Sequence, residues 1–186
     1  MYNMEALVLI IIIAIALLFS VLSYNRLIYY RNEVKNAWHG MDVQLKRRHD
    51  LIANILELVA GYASHERRAL DLVIEARRKA QTVLENIEER VEAEKALSAS
   101  FQSLLIQVEA YPHLKASEGF AVLMAELTAT ENKIGLMRQY YNDMALRYKN
   151  RVEMFPGNIV AGLFNFRPEP FFLLEDEQER IAPQVK

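Results

Sequence analysis

Residues 34–62 read VKNAWHGMDVQLKRRHDLIANILELVAGY, and this stretch decides the fold. Trp38, Met41, Leu45, Arg48, Ile52, Ile55, Val59 and Tyr62 recur at alternating steps of three and four, with Leu27 and Val34 in register upstream. That spacing puts them on one stripe of an α-helix, the seam of a packed helix with a single charged member. Gly61 predicts the end of the helix and Ser64 the N-cap of the next, with Glu66 near its positive end. Gly40, inside the first helix, costs about 1 kcal/mol relative to alanine, which predicts close packing there.

The same periodicity continues downstream. A second helix carries Leu70, Val73, Arg77, Ala80 and Leu84 on one face, and a third carries Leu97, Phe101, Leu104, Leu105 and Val108. The third stops at Tyr111-Pro112, because proline disfavours helical geometry at the residue before it. A fourth begins near Ser117 and runs through Phe120, Leu123, Leu127, Ile134, Met137, Tyr141, Met144, Tyr148 and Val152 to Phe155-Pro156-Gly157. Pro112 is the first proline of the chain and strand-like alternation is absent. The expected fold is therefore all-α: an N-terminal transmembrane helix, then an antiparallel four-helix bundle with long first and last helices. Without a turn between Asn86 and Glu94, the middle helices would fuse and leave three long ones. The expected divisions are an anchor over 1–23, a bundle over 24–155, and an apolar segment with an acidic tail over 156–186.

Upstream of the seam, the 186-residue chain is 52% hydrophobic with a net charge of −2, and much of its apolar content sits at Ala6–Leu22. Ser20 is the one hydrogen-bonding side chain in that run, which covers about 25 Å as a helix, enough to span a bilayer with little tilt. Tyr2 on one side and Tyr24, Tyr29 and Tyr30 on the other suit the interface, and Arg26 can snorkel away from the apolar core. A cleaved signal peptide fits less well, since Glu5 but no Lys or Arg precedes the run and no A-x-A site follows it. Arg26, Arg31 and Lys35 lie just after it, which orients the chain in the cell (inner) membrane with the N-terminus outside and the bundle cytoplasmic. Ala16 and Ser20 form a small-xxx-small pair, a spacing that plain lipid-facing residues also produce. Residues 23–80 hold eleven Lys/Arg against seven Asp/Glu, whereas 81–186 hold eleven against sixteen. The membrane-proximal half is thus suited to anionic lipid and to packing on the acidic half. Zero cysteines exclude disulfides, a thiolate nucleophile and Cys-based metal sites. The near-neutral charge argues against nucleic acid as a partner.

A series of motifs runs along the chain: Tyr24-Asn25, Arg31-Asn32-x-Val34-x-x-Ala37-Trp38, the run DVQLKRR from Asp42 to Arg48 with Asp50-Leu51-Ile52, and Gly61-Tyr62-Ala63-x-His65-Glu66. The series continues through Ala76-Arg77, Glu109-Ala110-Tyr111-Pro112-x-Leu114-Lys115-Ala116, Thr130-Glu131-Asn132-x-Ile134, Tyr141-Asn142 and Phe155-Pro156. On these residues rests a resemblance to the LemA family of bacterial single-pass membrane proteins. It implies an anchor followed by an antiparallel helical bundle, and links to membrane-protein maintenance and membrane-organising assemblies such as magnetosomes; it implies no reaction. Two positions depart from the family pattern, Ala53 in place of proline and Asn165 in place of glycine.

Three groups of residues are candidate sites. Arg48 falls on the apolar seam, and Glu131 and Asn132 interrupt the fourth helix at the matching place. Contact among them would lock register rather than add much stability, since desolvation offsets most of the attraction. Lys46, Arg47 and Arg67 offer a lipid or phosphate contact, although consecutive residues of a helix point in different directions. Ile159, Val160, Leu163, Phe164, Phe166, Phe171 and Phe172 form an apolar segment too short to span a bilayer. It packs across the open end of the bundle, or meets the inner leaflet or a partner as the fourth helix returns toward the membrane. Glu175–Glu179 reads as a solvated acidic tail.

No Glu stands three residues before His39, His49, His65 or His113, as an inward di-iron site needs, and neither His-Glu-x-x-His nor Gly-x-Ser-x-Gly occurs. Glycines are scattered singly, without a phosphate loop, and Trp38, Tyr111, Tyr140, Tyr141 and Tyr148 read as core rather than a cofactor box. No cofactor, metal or small-molecule substrate is identified. The expected function is a non-enzymatic, membrane-anchored scaffold that binds a protein partner or a second copy of itself. The alternative is a lipid- or phosphate-binding module on the basic face of the first two bundle helices.

Overall fold

The computed structural model describes residues 2–62, 66–83 and 86–173. Among the described residues every regular element is a helix: α1 (Tyr2–Tyr62), α2 (Arg67–Thr82), α3 (Ile87–Val108), α4 (Pro112–Lys115), α5 (Glu118–Glu153) and α6 (Gly157–Leu163). The apolar run and the seam belong to one uninterrupted 61-residue helix, which passes through Ala53 and ends one residue beyond Gly61. Residues Met4 to Phe19 are exposed, and α1 is long and apolar enough to cross a membrane. Ser64, His65, Leu84 and the acidic tail lie outside the described residues.

α2 and α3 are separate helices, and Asn86 is the reason. Its side-chain oxygen accepts hydrogen bonds from the Glu88 and Glu89 amides at 3.0 and 3.3 Å. Its side-chain Nδ2 donates to the Glu89 carboxylate at 3.1 Å, and the two bonds to its Oδ1 satisfy orphan backbone donors at the start of α3. α3 stops at Val108, and Pro112 opens α4 at a position where its missing N–H leaves nothing unpaired. Glu66 is the N-cap of α2, makes no side-chain capping bond, and accepts instead from the Tyr111 hydroxyl at 3.2 Å.

The chain divides into two compact units, Met1–His39 with Gln139–Glu169, and Gly40–Arg138 with Pro170–Lys186. In the first, α1 and α5 are antiparallel: Trp38 lies edge-on to Tyr141 at 5.7 Å, and the Arg151 guanidinium sits 5.6 Å above the Tyr30 ring. Leu27, Val34, Ala37, Tyr141, Ala145, Tyr148, Val160, Ala161 and Phe166 are buried there. α6 starts tight against the end of α5, since a Cβ at Gly157 would stand 2.6 Å from the Arg151 carbonyl oxygen. It ends in a Schellman motif, with Phe166 N–H donating to Ala161 C=O at 2.9 Å and Asn165 N–H to Gly162 C=O at 3.4 Å. Asn165 adopts φ 55° to close it, so the position expected to want glycine makes the turn with the other residue that tolerates this geometry.

In the second unit a continuous core is shared by the helices. It contains Ile52, Ile55 and Val59 of α1, Leu70 and Val73 of α2, Leu97, Phe101 and Leu104 of α3, Leu114 of α4, and Phe120 and Leu127 of α5. The stripes read from periodicity supply most of it; Tyr62, at the end of the first, is exposed. Gly40 departs from its expected role. A Cβ there would meet only Met137 Sδ at 3.7 Å, an ordinary contact with room for a methyl group.

Two substitutions test these local readings in the full chain in detergent, by chemical denaturation. Gly40→Ala is expected to stabilise by about 0.5–1 kcal/mol through reduced backbone entropy of the unfolded chain. Asn165→Ala is expected to cost about 1 kcal/mol while Asn165→Gly is neutral or better, and equal effects of the two would refute a strained left-handed residue.

Candidate functional site

The polar residues that the fold gathers most tightly surround Glu94, whose exposure is 0%. Arg48 Nη1 donates to Glu94 Oε2 at 3.2 Å, and Arg90 Nε donates to Oε1 at 3.2 Å. His49 Nε2 lies 2.9 Å from that same Oε1. Arg48, His49 and Arg90 are themselves buried. Their remaining donors reach outward: Arg48 Nη2 to Ser98 Oγ at 2.7 Å, Arg90 Nη1 to the Val83 carbonyl at 2.9 Å and Arg90 Nη2 to Asp42 at 3.0 Å. Arg77 Nε closes the cluster by donating to the His49 carbonyl at 2.7 Å.

Glu131 joins from α5, with its carboxylate 2.7 Å from Arg48 Nε. That N–H is not aimed along the contact, so the pair is electrostatic rather than a directed hydrogen bond. Burial pushes the Glu131 carboxyl above the ordinary carboxylate range; Arg48 pulls it down and the Glu94 charge adds to the push. Asn132, expected beside them, is exposed.

Counting His49 as neutral, two buried guanidiniums face three carboxylates, so no charge in the cluster lacks an opposite partner. Such an arrangement ties α1, α3 and α5 to one register. Among the described residues no three of His, Asp or Glu stand where they could hold a metal ion. Glu94 and Arg90 are not among the residues that the sequence singles out as candidate sites. The signal was present: stepping back from Leu97 by three and then four along the stripe through Phe101 and Leu104 lands on both.

The other candidates are dispersed. Arg47 pairs with Glu126 at 3.4 Å with both side chains about half exposed, a contact worth little in water. Lys46 and Arg67 are exposed. The apolar segment is split in character: Val160, Phe166 and Phe172 are buried and Phe171 is half-buried, whereas Ile159, Leu163 and Phe164 are exposed, Leu163 at 76%. Tyr24 holds this segment in the first unit, edge-on to Phe164 at 4.8 Å and to Phe166 at 5.6 Å. Arg31 stands 5.2 Å over the Phe166 ring, a cation–π contact. Tyr141 and Tyr148 are core, and burial raises both hydroxyls above the usual phenol range, with the Glu169 charge adding to the rise. Tyr140 is exposed and its hydroxyl meets Glu33 at 3.4 Å.

A model of the LemA family matches residues 37–186. Protein LemA of Metamycoplasma hominis is 26% identical over 137 residues, covering 74% of this chain and 63% of that protein. The chain therefore spans less than two thirds of the length of this curated relative.

Glu94→Ala leaves two buried guanidiniums short of a partner and is expected to cost roughly 3–5 kcal/mol of stability; a loss under 1 kcal/mol would mean that water compensates the site. Glu131 supplies a pH test. Because its folded-state carboxyl titrates above its ordinary value near 4.5, the folded chain holds a proton that the unfolded chain has released, and stability falls as pH rises through that window. Urea unfolding of the wild type against Glu131→Gln should show the wild type losing ground from pH 4 upward. A gain would reverse the sign of the shift.

Proposed function

We propose that this chain, which belongs to the LemA family, is a non-enzymatic, single-pass membrane scaffold. It presents an antiparallel four-helix bundle in the cytoplasm to protein partners, a second copy of itself among them. The observation that carries this reading is the α1 helix, whose exposed apolar run continues without a break into a buried, core-forming seam. Leaving Met4 to Phe19 in water would expose an apolar surface far larger than soluble monomers carry, and a bilayer removes that cost.

The bundle arrangement is supported by the order of contacts in the second unit. Asp50 meets Arg77, Asp42 meets Arg90, Arg48 meets Glu94, and Arg47 meets Glu126. A scaffolding role is supported by the state of the buried ionisable groups, which neutralise one another inside the helices instead of facing a cavity. Orientation is supported by Arg26, Arg31 and Lys35 just after the apolar run and no Lys or Arg before it.

The test is photo-crosslinking of the full chain in its native membranes, with a benzophenone side chain at exposed Leu136 or Leu146. The expected result is a discrete adduct, with a second copy or with a defined protein. Monomer alone at both positions would overturn the scaffold reading. Accessibility of a C-terminal epitope to protease in intact right-side-out cells would overturn the orientation.

A further inference from the structure

A groove of about 600 Å³ opens in the first unit between α1, the end of α5 and the start of α6. Arg26, Arg147 and Arg151 line it together with Phe19, Met154 and Phe155. No Asp or Glu is among the described lining residues, and neither Arg26 nor Arg147 has an ion-pair partner among the described residues. The volume falls in the range of small-molecule sites. Three guanidiniums beside an apolar wall call for a ligand that is an anion at one end and hydrocarbon at the other.

The depth of the groove says which. The apolar run ends at Leu22, so Arg26 is about 6 Å further along the axis and Phe19 about 4.5 Å short of it, at 1.5 Å per residue. A headgroup layer occupies roughly 5–7 Å on each side of the hydrocarbon. Arg26 therefore lies among phosphates and Phe19 among acyl chains. α6 is held at this level by the edge-on contacts that Phe164 and Phe166, just beyond its end, make with Tyr24. Beside the groove, Phe155 is 79% exposed, as are Ile159, Leu163 and Phe164 in large part, and hydrocarbon covers such side chains at an interface. Gly157 keeps α6 close enough to α5 to form the rim, since any larger residue would strike the Arg151 carbonyl.

We propose, resting on the membrane-anchored reading above, that this groove binds one anionic phospholipid of the leaflet around the end of the span. Arg26, Arg147 and Arg151 take its phosphate, and Phe19, Met154 and Phe155 flank its chains. Guanidinium is suited to this role because its planar fork of donors matches phosphate oxygens.

The full chain, purified in mild detergent, is titrated by native mass spectrometry with palmitoyl-oleoyl phosphatidylglycerol, with phosphatidylcholine of the same chains, and with soluble glycerophosphoglycerol as competitor. The expected result is a one-to-one phosphatidylglycerol adduct at about tenfold lower concentration than the phosphatidylcholine adduct. Arg147→Gln should narrow that preference, Arg26→Gln with Arg147→Gln should abolish it, and Arg47→Gln with Arg67→Gln should retain it. Far-ultraviolet circular dichroism confirms that each variant is folded, and Arg147→Lys, which keeps the charge, should recover part of the preference. Equal binding of the two lipids by the wild type, or an unchanged preference in the double arginine variant, overturns the site. Displacement by glycerophosphoglycerol overturns the lipid in favour of a soluble phosphate, and a benzophenone at Met154 that labels only protein overturns it in favour of a protein partner. Alkaline carbonate separates the readings: a chain extracted from membranes refutes the anchor itself, whereas a retained chain without lipid preference refutes the groove alone.

Discussion

A carboxylate with no access to water must be answered by cations or be protonated, and Glu94 is answered by the guanidiniums of Arg48 and Arg90, with the His49 imidazole as a third polar contact. The geometry of the second unit follows from that demand. Arg48 and His49 come from α1 and Arg90 from the turn of α3 just before Glu94 itself, so α1 and α3 have one axial alignment in which all the donors reach. Sliding either helix by a turn would separate buried charges by about 5.4 Å, a loss that hydrophobic contacts, being non-directional, would not oppose. The apolar residues supply cohesion and the ions supply position. Glu131 extends the constraint to α5 through its pairing with Arg48, and burial raises its carboxyl above the ordinary range.

Helical periodicity alone made most of the core legible in the sequence. Met41, Leu45, Ile52, Ile55 and Val59 are all fully buried, because a single face of a helix is a local property of the chain. The chain breaks were less legible. Gly61 falls inside α1 and the boundary between α2 and α3 falls at Asn86, since a helix end is chosen by its capping bonds as much as by the loss of an apolar stripe. The polar cluster was legible only in part. The place of Arg48 on a seam announced a buried charge, whereas its deepest partner belongs to another helix, and periodicity along one helix carries no information about which residue of a second faces it. Glu94 also stands among many glutamates, Glu85, Glu88, Glu89 and Glu92 among them, and composition does not distinguish the buried one from the rest.

The apolar segment near the C-terminus shows a different limit. Its sequence contains large hydrophobic residues throughout, yet some members are buried and others exposed: Val160 and Phe166 are inside, Ile159, Leu163 and Phe164 outside. A seven-residue helix cannot hide its whole circumference against one neighbour, so part of its apolar surface is committed to the fold and part remains available.

The first unit is assembled from two pieces of chain, residues 1–39 and 139–169, with the whole of 40–138 between them. On the ribosome that order has a temporal meaning. At about 5–20 residues per second, the 99 intervening residues take roughly 5–20 s to synthesise, during which Leu27, Val34 and Ala37 have no α5 to cover them. The apolar span precedes them and leaves the ribosome first. An apolar face of α1 therefore leaves the ribosome long before the α5 residues that bury it, and the order of synthesis alone keeps that face open for the interval.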